Sequence, residues 1–493
     1  MVAKLKTDGK AKTVLKILIG IGTVAIPFLM WYLWLRMTGC DILQSHPTIS
    51  DELGYWRIMY SFSECGFDFG ACGGFINSPA RWGYFGSHGL SPFLAWGWYA
   101  LLFPWAQNSL VLANFIELTV ATAIFVLLVH DDIADMLFSA AVLLGSSYVF
   151  LYLCSSMMEI PCAAAAIIFA ALFIRWRRTG KKLWLVLAIA QVIYLTFLRY
   201  CYAVVAFPLV WELCENRLNK KSFAILAAYA VLTLFVYFTA EMFMADYPEN
   251  IMVLADKAGL LGKIKLLFKN AAANTRKYFT CAEHQTSEFY QRILFAGMTA
   301  ALCVYAAAKK SAMHLSLAFT LAGMMLMNIF CYDIGYQKEF RAMGPVMLFV
   351  MIMTANTGSL SKAAHILKTF AALAAALSLV VAVRQMTGYM QRQEYNVFFL
   401  QDRFGQIQDV SKEIAKCFDS EPATAAIKVS DTFDTVVWIP PQIGVQWTFG
   451  GEGLKDAQTE YIISTTDDSI IPEGYELVGE PANSYKIYKK TNS

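Results

Sequence analysis

The stretch Ser91-Pro92-Phe93-Leu94-Ala95-Trp96-Gly97-Trp98-Tyr99-Ala100-Leu101-Leu102-Phe103-Pro104 decides how this chain is threaded. It is apolar enough to enter a bilayer. A crossing helix, however, needs roughly 20 residues, and Ser91–Phe103 is well short of that, with prolines near both ends. Trp96, Trp98 and Trp105 crowd into it, and tryptophan is favoured at the membrane–water boundary. Length and tryptophan content predict a helix that lies at the interface, or dips in from one side, without crossing.

Positive charge tests that reading. With no crossing here, Lys4–Lys16, Arg175–Lys182, Arg217–Lys221, Lys309–Lys310 and Lys362–Lys368 all fall on one side, with 17 Lys and Arg in short segments. Such an excess marks the cytoplasmic face. If the stretch crossed, Arg175–Lys182 would flip to the other side and the pattern would break.

The apolar runs around it are long. The chain has 493 residues, 57% hydrophobic and 16% charged, with mean hydropathy +0.48. A soluble domain carries about 25% charged residues, so most of this chain belongs in lipid. Runs that suit spans are Ile17–Leu35, Ser109–Val129, Met136–Cys154, Ile160–Ile174, Leu183–Phe197, Tyr202–Cys214, Ala224–Met244, Ile293–Ala308, Leu315–Cys331, Met343–Ala355 and Ala363–Val383. The fold expected is an all-α polytopic membrane bundle of about 11 transmembrane helices. The first run follows five lysines, like a signal peptide, but its length and lack of a small-residue cleavage site predict a retained anchor. The N-terminus is then cytoplasmic and the C-terminus external.

Residues 1–385 form the membrane module on this reading. Within it, 36–107 is the first external loop with its interfacial helices. Residues 245–292 form a second external loop, with an amphipathic helix over Ile251–Phe268 carrying Lys257, Lys263, Lys265 and Lys269. Residues 391–493 change character. Strand-like runs at Ala426–Val429, Thr435–Ile439, Tyr461–Ser464 and Tyr485–Tyr488, a helix near Asp409–Cys417 and turn residues such as Pro440-Pro441 predict a small external α/β domain.

Several function classes are excluded. A net charge of +3 does not argue for nucleic acid, and no G-x-x-x-x-G-K-[ST] loop occurs, which removes an ATP-driven pump. The 11 cysteines include no C-x-x-C pair, so no zinc motif is present. Cys65 and Cys72 share one polar loop and could pair in an oxidising compartment.

Ionisable groups gather at the predicted external edge. The first loop holds Asp51-Glu52-Leu53-Gly54-Tyr55, and later Ser87-His88-Gly89-Leu90-Ser91-Pro92. Glu159 precedes Pro161 in a short turn, Arg199-Tyr200 ends an apolar run, and Asp333-Ile334-Gly335-Tyr336-Gln337-Lys338-Glu339-Phe340-Arg341 leads into another. Each has a plainer reading. Ser50-Asp51-Glu52 suits a helix N-terminus, His88 suits a solvated loop, Arg199 can snorkel, and 333–341 suits a solvated turn. A lone carboxylate such as Glu159 at a membrane edge is expensive unless hydrated, paired or functional.

Taken in order, these features resemble the GT-C superfamily of integral-membrane glycosyltransferases, the group of protein O-mannosyltransferases, aminoarabinose transferases and oligosaccharyltransferases. The resemblance covers roughly residues 14–385 and rests on short, degenerate motifs. It implies a polyprenyl-phosphate-linked sugar donor, a glycan, lipid or protein acceptor on the external face, and inversion at the anomeric carbon. It implies Asp51 as catalytic base, with Glu52 and Glu159 as further acidic catalytic positions. Arg199, Tyr336, Lys338 and Arg341 would hold the donor phosphate, and Tyr55 and His88 would bind substrate. Asp51 and Glu159 would be the ligands if a divalent cation, Mg or Mn, takes part; only Glu159 stands at the second acidic position, and no other cofactor is implied. The setting expected is a bacterial cytoplasmic membrane. A polysaccharide or lipid-linked-sugar transporter or flippase is the rival reading, although such proteins usually show paired repeats and midplane charges. A structural assembly subunit is a third.

Overall fold

The computed structural model describes residues 9–38, 50–66, 89–243, 259–278, 280, 286–331, 338–357, 361–391, 409–419, 423–428, 439–448, 454, 457–465, 471–481 and 485–491. Their helices are α1 (Gly9–Val24), α2 (Ile26–Thr38), α3 (Ser50–Cys65), α4 (Ser91–Leu102), α5 (Ser109–Leu128), α6 (Ile133–Leu144), α7 (Ser147–Tyr152), α8 (Glu159–Thr179), α9 (Lys182–Leu198), α10 (Phe207–Leu213), α11 (Lys220–Glu241), α12 (Gly259–Tyr278), α13 (Thr286–Lys309), α14 (Ala312–Cys331), α15 (Lys338–Asn356) and α16 (Lys362–Gln391). The chain is an all-α polytopic membrane bundle with a small C-terminal sheet.

The number of spans is lower than expected. Among the described residues, six helices are long and apolar enough to cross a membrane: α5, α8, α11, α13, α14 and α16. The pair α1–α2 makes a seventh if counted as one span, bent by 45°. Pro27 sits in the first turn of α2 and cannot donate back into α1, while Thr23 Oγ1 bonds the Ile19 carbonyl at 2.8 Å, a contact that also bends helices.

The other expected spans are short or broken. The run Met136–Cys154 divides into α6 and α7 at Gly145-Ser146, where Ser146 accepts from Val149 N and caps α7. The break lies under α16: a Cβ on Gly145 would fall 2.7 Å from the Ala375 carbonyl carbon, so only glycine permits this crossing. At Arg199 the backbone is extended, ending α9, and a 3-10 turn over Tyr200–Ala206 leads into α10. The helices α6, α9 and α15 and the segment Tyr200–Leu213 are apolar but shorter than the spans.

The centre of the bundle is α8. Nearly all its residues from Glu159 to Ile174 are buried. The run Ala163–Ala166 presents small side chains, which let neighbouring helices approach closely. Helices α5, α9 and α15 surround it, and Phe169 stacks on Phe349 of α15 at 5.1 Å.

Basic segments meet at one end. Lys16 Nζ reaches the Asp131 carbonyl at 2.6 Å. Arg178 bonds Asp131 and Asp135 at 3.3 and 2.9 Å, and Lys368 bonds Asp135 at 2.6 Å. Glu159, at the start of α8, is at the opposite end from Arg175 and Arg178. The Ser91–Phe103 stretch forms α4, about 18 Å long at the helical rise, too short to cross.

The tail sheet has strand order β2-β1-β3-β5-β4, from β1 (Ala423–Lys428), β2 (Ile443–Thr448), β3 (Tyr461–Thr465), β4 (Tyr475–Gly479) and β5 (Tyr485–Lys490). β1 runs parallel to β2 and β3, while β5 is antiparallel to β3 and β4. Strands β2 and β4 were not expected from the sequence. The expected strand Thr435–Ile439 lies outside the described residues apart from Ile439. Residues 409–415 are helical. Of the expected amphipathic helix, 251–258 lie outside the described residues, and the described helix Gly259–Tyr278 runs ten residues beyond the expected end at Phe268. The tail rests on α3: Arg57, 4% exposed, donates to the carbonyls of Ile439, Pro440 and Ile443. Ile414, Ile427 and Ile443 join the same core as the bundle.

Candidate active site

Two acids open α3, Asp51 and Glu52. The positive end of a helix dipole favours negative charge there. Glu52 is 4% exposed, and its Oε1 accepts the backbone N–H of Ser156 at 3.0 Å. That bond ties α3 to the turn that leads into α8.

The turn is fixed a second time by Asn114 of α5, which is fully buried. Its Nδ2 donates to the carbonyls of Ser155 and Met157 at 2.9 and 3.1 Å. Its Oδ1 accepts from Trp96 Nε1 at 2.7 Å. One amide therefore joins α4, α5 and the turn before Glu159. Pro161 falls in the first turn of α8, where its missing N–H costs nothing.

Glu159 is fully buried and is met by two guanidiniums. Arg199 Nη2 lies 2.9 Å from Oε1 and Arg341 Nε lies 2.6 Å from the same oxygen. Arg341 Nη1 also reaches Asp51 Oδ2 at 2.8 Å. Tyr202 OH donates to the Arg341 carbonyl at 3.2 Å, which steadies the start of α15. The chain's turns thus bring Asp51, Glu159, Arg199 and Arg341 into one ion-paired cluster. Burial of these charges is tolerable because each is paired and hydrogen-bonded.

The cluster is graded in accessibility. The Glu159 side chain is fully buried, Arg341 and Arg199 are 18% and 22% exposed, and Asp51 is 38% exposed. Asp51 is therefore the acid a solvent-borne molecule meets first. Arg199 Nε and Nη1 and Arg341 Nη2 have no hydrogen-bond partner among the described residues.

Tyr55, one turn after Asp51, is 2% exposed. Its ring meets Trp96 edge-on at 5.4 Å, and burial pushes its phenol well above the usual range. It stays neutral beside the charges and forms a wall of the cluster. Helix α4 lies across the ends of α5 and α9 nearest the cluster, held by Ser91 Oγ to the Phe197 carbonyl at 3.2 Å and by Tyr194 OH to the Leu94 carbonyl at 3.2 Å.

The remaining expected positions are less fully placed. His88 and Tyr336 lie outside the described residues, as does Cys72. Of Lys338 only the backbone is described, at the start of α15. Among the described residues no group of three or more His, Cys, Asp or Glu gathers as for a metal. Asp51 and Glu159, the two positions named for a divalent cation, are both engaged by Arg341, and Arg199 shares Glu159 Oε1.

No protein-family model matches the chain, and no curated protein matches it. Solved structures similar to the chain include two of ArnT. The crystal structure of ArnT from Cupriavidus metallidurans bound to undecaprenyl phosphate is 11% identical, with a TM-score of 0.47, over 96% of this chain and 98% of that one. The apo-state crystal structure of ArnT from the same organism is 10% identical, with a TM-score of 0.45, over 94% and 96%.

Sequence reading missed three residues that shape the site. Asn114 and Glu117 stand inside the apolar run Ser109–Val129, and polar groups at membrane depth are costly enough to be a signal. Glu117 accepts from Trp98 Nε1 at 2.8 Å, so α4 is anchored to α5 twice. Arg57 carried no local signal, since its partners are backbone carbonyls far along the chain.

Proposed function

We propose that this chain is an integral-membrane glycosyltransferase that moves a sugar from a polyprenyl-phosphate-linked donor to an acceptor on the external face, with inversion. The observation that carries this reading is the Arg341 bridge: one guanidinium touches both a solvent-accessible carboxylate, Asp51, and the buried Glu159 that also holds Arg199. The sequence resemblance to the GT-C superfamily supports it independently.

The chemistry follows from these groups. An acceptor hydroxyl attacks the anomeric carbon, its oxygen–carbon bond forming as the carbon–phosphate-oxygen bond breaks. Asp51 takes the hydroxyl proton as general base. The lipid phosphate leaves with its negative charge, which Arg199 and Arg341 stabilise through charge-assisted hydrogen bonds. No nucleotide is needed for this step.

The ion pair also sets the order of events. While Arg341 holds Asp51, that carboxylate oxygen is occupied. A donor phosphate competes for Arg341, and Asp51 is freed to meet the acceptor hydroxyl as the guanidinium turns to the phosphate. Glu159 stays in place as a positioning residue that holds both arginines. Glu52 positions α3 against the turn, Tyr336 and Lys338 precede Arg341 in sequence as further phosphate-binding residues, and Tyr55 and His88 are assigned to substrate binding. The acceptor is a glycan, lipid or protein. The gathering of basic segments at the far end supports a cytoplasmic N-terminus in a bacterial inner membrane, with the tail outside.

The test is transfer from polyprenyl-phosphate-linked sugars by the purified full chain. Asp51→Asn is expected to lower turnover by about 100-fold or more, and Arg341→Ala to lower it comparably by losing phosphate stabilisation. Full activity in both variants would remove the mechanism.

A further inference from the structure

Helix α12 has three kinds of surface. Its packed side carries Asn270 and Asn274, whose Nδ2 atoms donate to the carbonyls of Phe330 and Ile329 at 2.9 Å each. Those carbonyls belong to the last turn of α14 and would otherwise lack partners. Ala271, Asn274 and Tyr278 are buried on this side, and Phe268 meets Phe330 edge-on at 5.7 Å. The helix is therefore fixed in orientation by two side-chain caps and its packing.

The second surface is apolar and open. At about 3.6 residues per turn, Leu261, Ile264 and Phe268 project to one sector, next to the packed side. They are 82%, 44% and 64% exposed. The third surface adjoins that stripe: Lys265, Lys269 and Arg276 fall in the next sector and are exposed. None of the three makes an ion pair among the described residues. Lys263 and Lys277 add to the charge, and Gly259–Tyr278 contains no Asp or Glu at all. A helix with five cations, no acid and an uncovered apolar stripe matches an anionic bilayer surface and little else.

Its position agrees. The end of α14 that α12 caps is joined to the start of α15 by 332–337, and α15 carries Arg341. Six residues reach only about 20 Å, so α12 lies at the end of the bundle that holds Glu159. Basic residues are sparse at that end compared with the other, so five on one helix stand out against the general charge pattern.

We propose that α12 is a binding surface for anionic phospholipid head groups, its Leu261–Ile264–Phe268 stripe seated in the acyl boundary and Lys265, Lys269 and Arg276 contacting the head-group phosphates. This site is separate from the Arg199–Arg341 cluster and does not depend on the chain being a transferase.

The experiment uses the full chain in nanodiscs made from equal parts phosphatidylcholine and phosphatidylglycerol. After partial delipidation, retained lipids are counted by mass spectrometry. The wild-type chain should retain phosphatidylglycerol preferentially. Each cation near an anionic surface contributes about five-fold in affinity, so Lys265→Gln/Lys269→Gln/Arg276→Gln should cut the enrichment by roughly ten-fold or more, while Lys265→Arg/Lys269→Arg retains it. Raising salt on the unaltered chain should erase the enrichment through screening, which tests the idea even if a variant misfolds. Equal retention of both lipids by the wild-type chain, or an enrichment that survives both salt and the triple substitution, overturns the proposal. So does selective retention of added undecaprenyl phosphate with no preference for phosphatidylglycerol.

Discussion

Arg341 Nη1 lies 2.8 Å from Asp51 Oδ2, joining the first described turn of α15 to the first turn of α3. The same guanidinium holds buried Glu159 through Nε at 2.6 Å. Removing Arg341 therefore exposes two different costs. Arg341→Ala leaves Glu159 buried with Arg199 alone, and breaking a buried pair costs about 3–5 kcal/mol. Arg341→Ala/Arg199→Met/Glu159→Leu removes all three charges that meet at Glu159 and should recover part of that loss. Thermal unfolding of the two variants in detergent checks it; equal loss in both would mean these charges have no coupling.

Asp51→Asn should separate chemistry from stability. Its side chain is 38% exposed, so the substitution should change stability by less than ~1 kcal/mol. Transfer activity should fall by about 100-fold or more with the unfolding midpoint nearly unchanged. A variant that keeps its turnover would move the base elsewhere.

Asn114 holds three backbone or ring partners from full burial. Asn114→Leu leaves Trp96 Nε1 and the Ser155 and Met157 carbonyls without this partner, at about 1–3 kcal/mol for each group that stays unsatisfied. We expect a lowered unfolding midpoint and, at temperatures where the protein is folded, faster amide exchange across 155–159. Unaltered exchange there would show that Glu52 alone fixes the turn.

Arg57 is the clasp between α3 and the tail. Arg57→Met keeps the aliphatic stem and removes the donors. Limited proteolysis should then cut within 392–438 faster than in the wild-type chain, while the membrane helices stay protected. Cleavage at the wild-type rate would show that the shared apolar core suffices to hold the tail.

Acid should loosen the tail through Asp419. Lys489 Nζ donates to Asp419 Oδ2 at 2.5 Å and Tyr461 OH donates to it at 3.0 Å. These bonds hold the Asp419 carboxyl below its usual range, Lys489 first. A depressed folded-state value means the contribution is present above the unfolded value of about 3.9 and is lost as pH falls below it. Lys489 is shifted upward by Asp419, so its part persists until strongly alkaline pH. The tail's unfolding midpoint should fall on acidification below about pH 4, and Asp419→Asn should lack that acid-sensitive part while being less stable at neutral pH.

Much of the bundle was legible in the chain because lipid solvates apolar side chains uniformly. The run Ser109–Val129 needed no knowledge of its neighbours to be read as a span, and the shortness of α4, 12 residues, was legible from the prolines near its ends. Where helices break was less legible. Gly145-Ser146 interrupts an apolar run because α16 crosses close by, and nothing in the run itself reports that crossing. Strand β2 was missed because its pairing with β1 is non-local, and the Pro440-Pro441 turn drew attention to the residues before it.

The site divides the same way. The residue types and the common edge for Asp51, Glu159, Arg199 and Arg341 came from hydropathy and charge bias, which act residue by residue. That Glu159 would be fully buried and shared by two arginines, that Arg341 would hold Asp51, and that Asn114 would pin the turn were settled by packing alone. The physical reason is range. Transfer into a bilayer is a local property of each segment, whereas a hydrogen bond at 2.8 Å requires helices remote in sequence to arrive at one point, and only the folded arrangement brings them there.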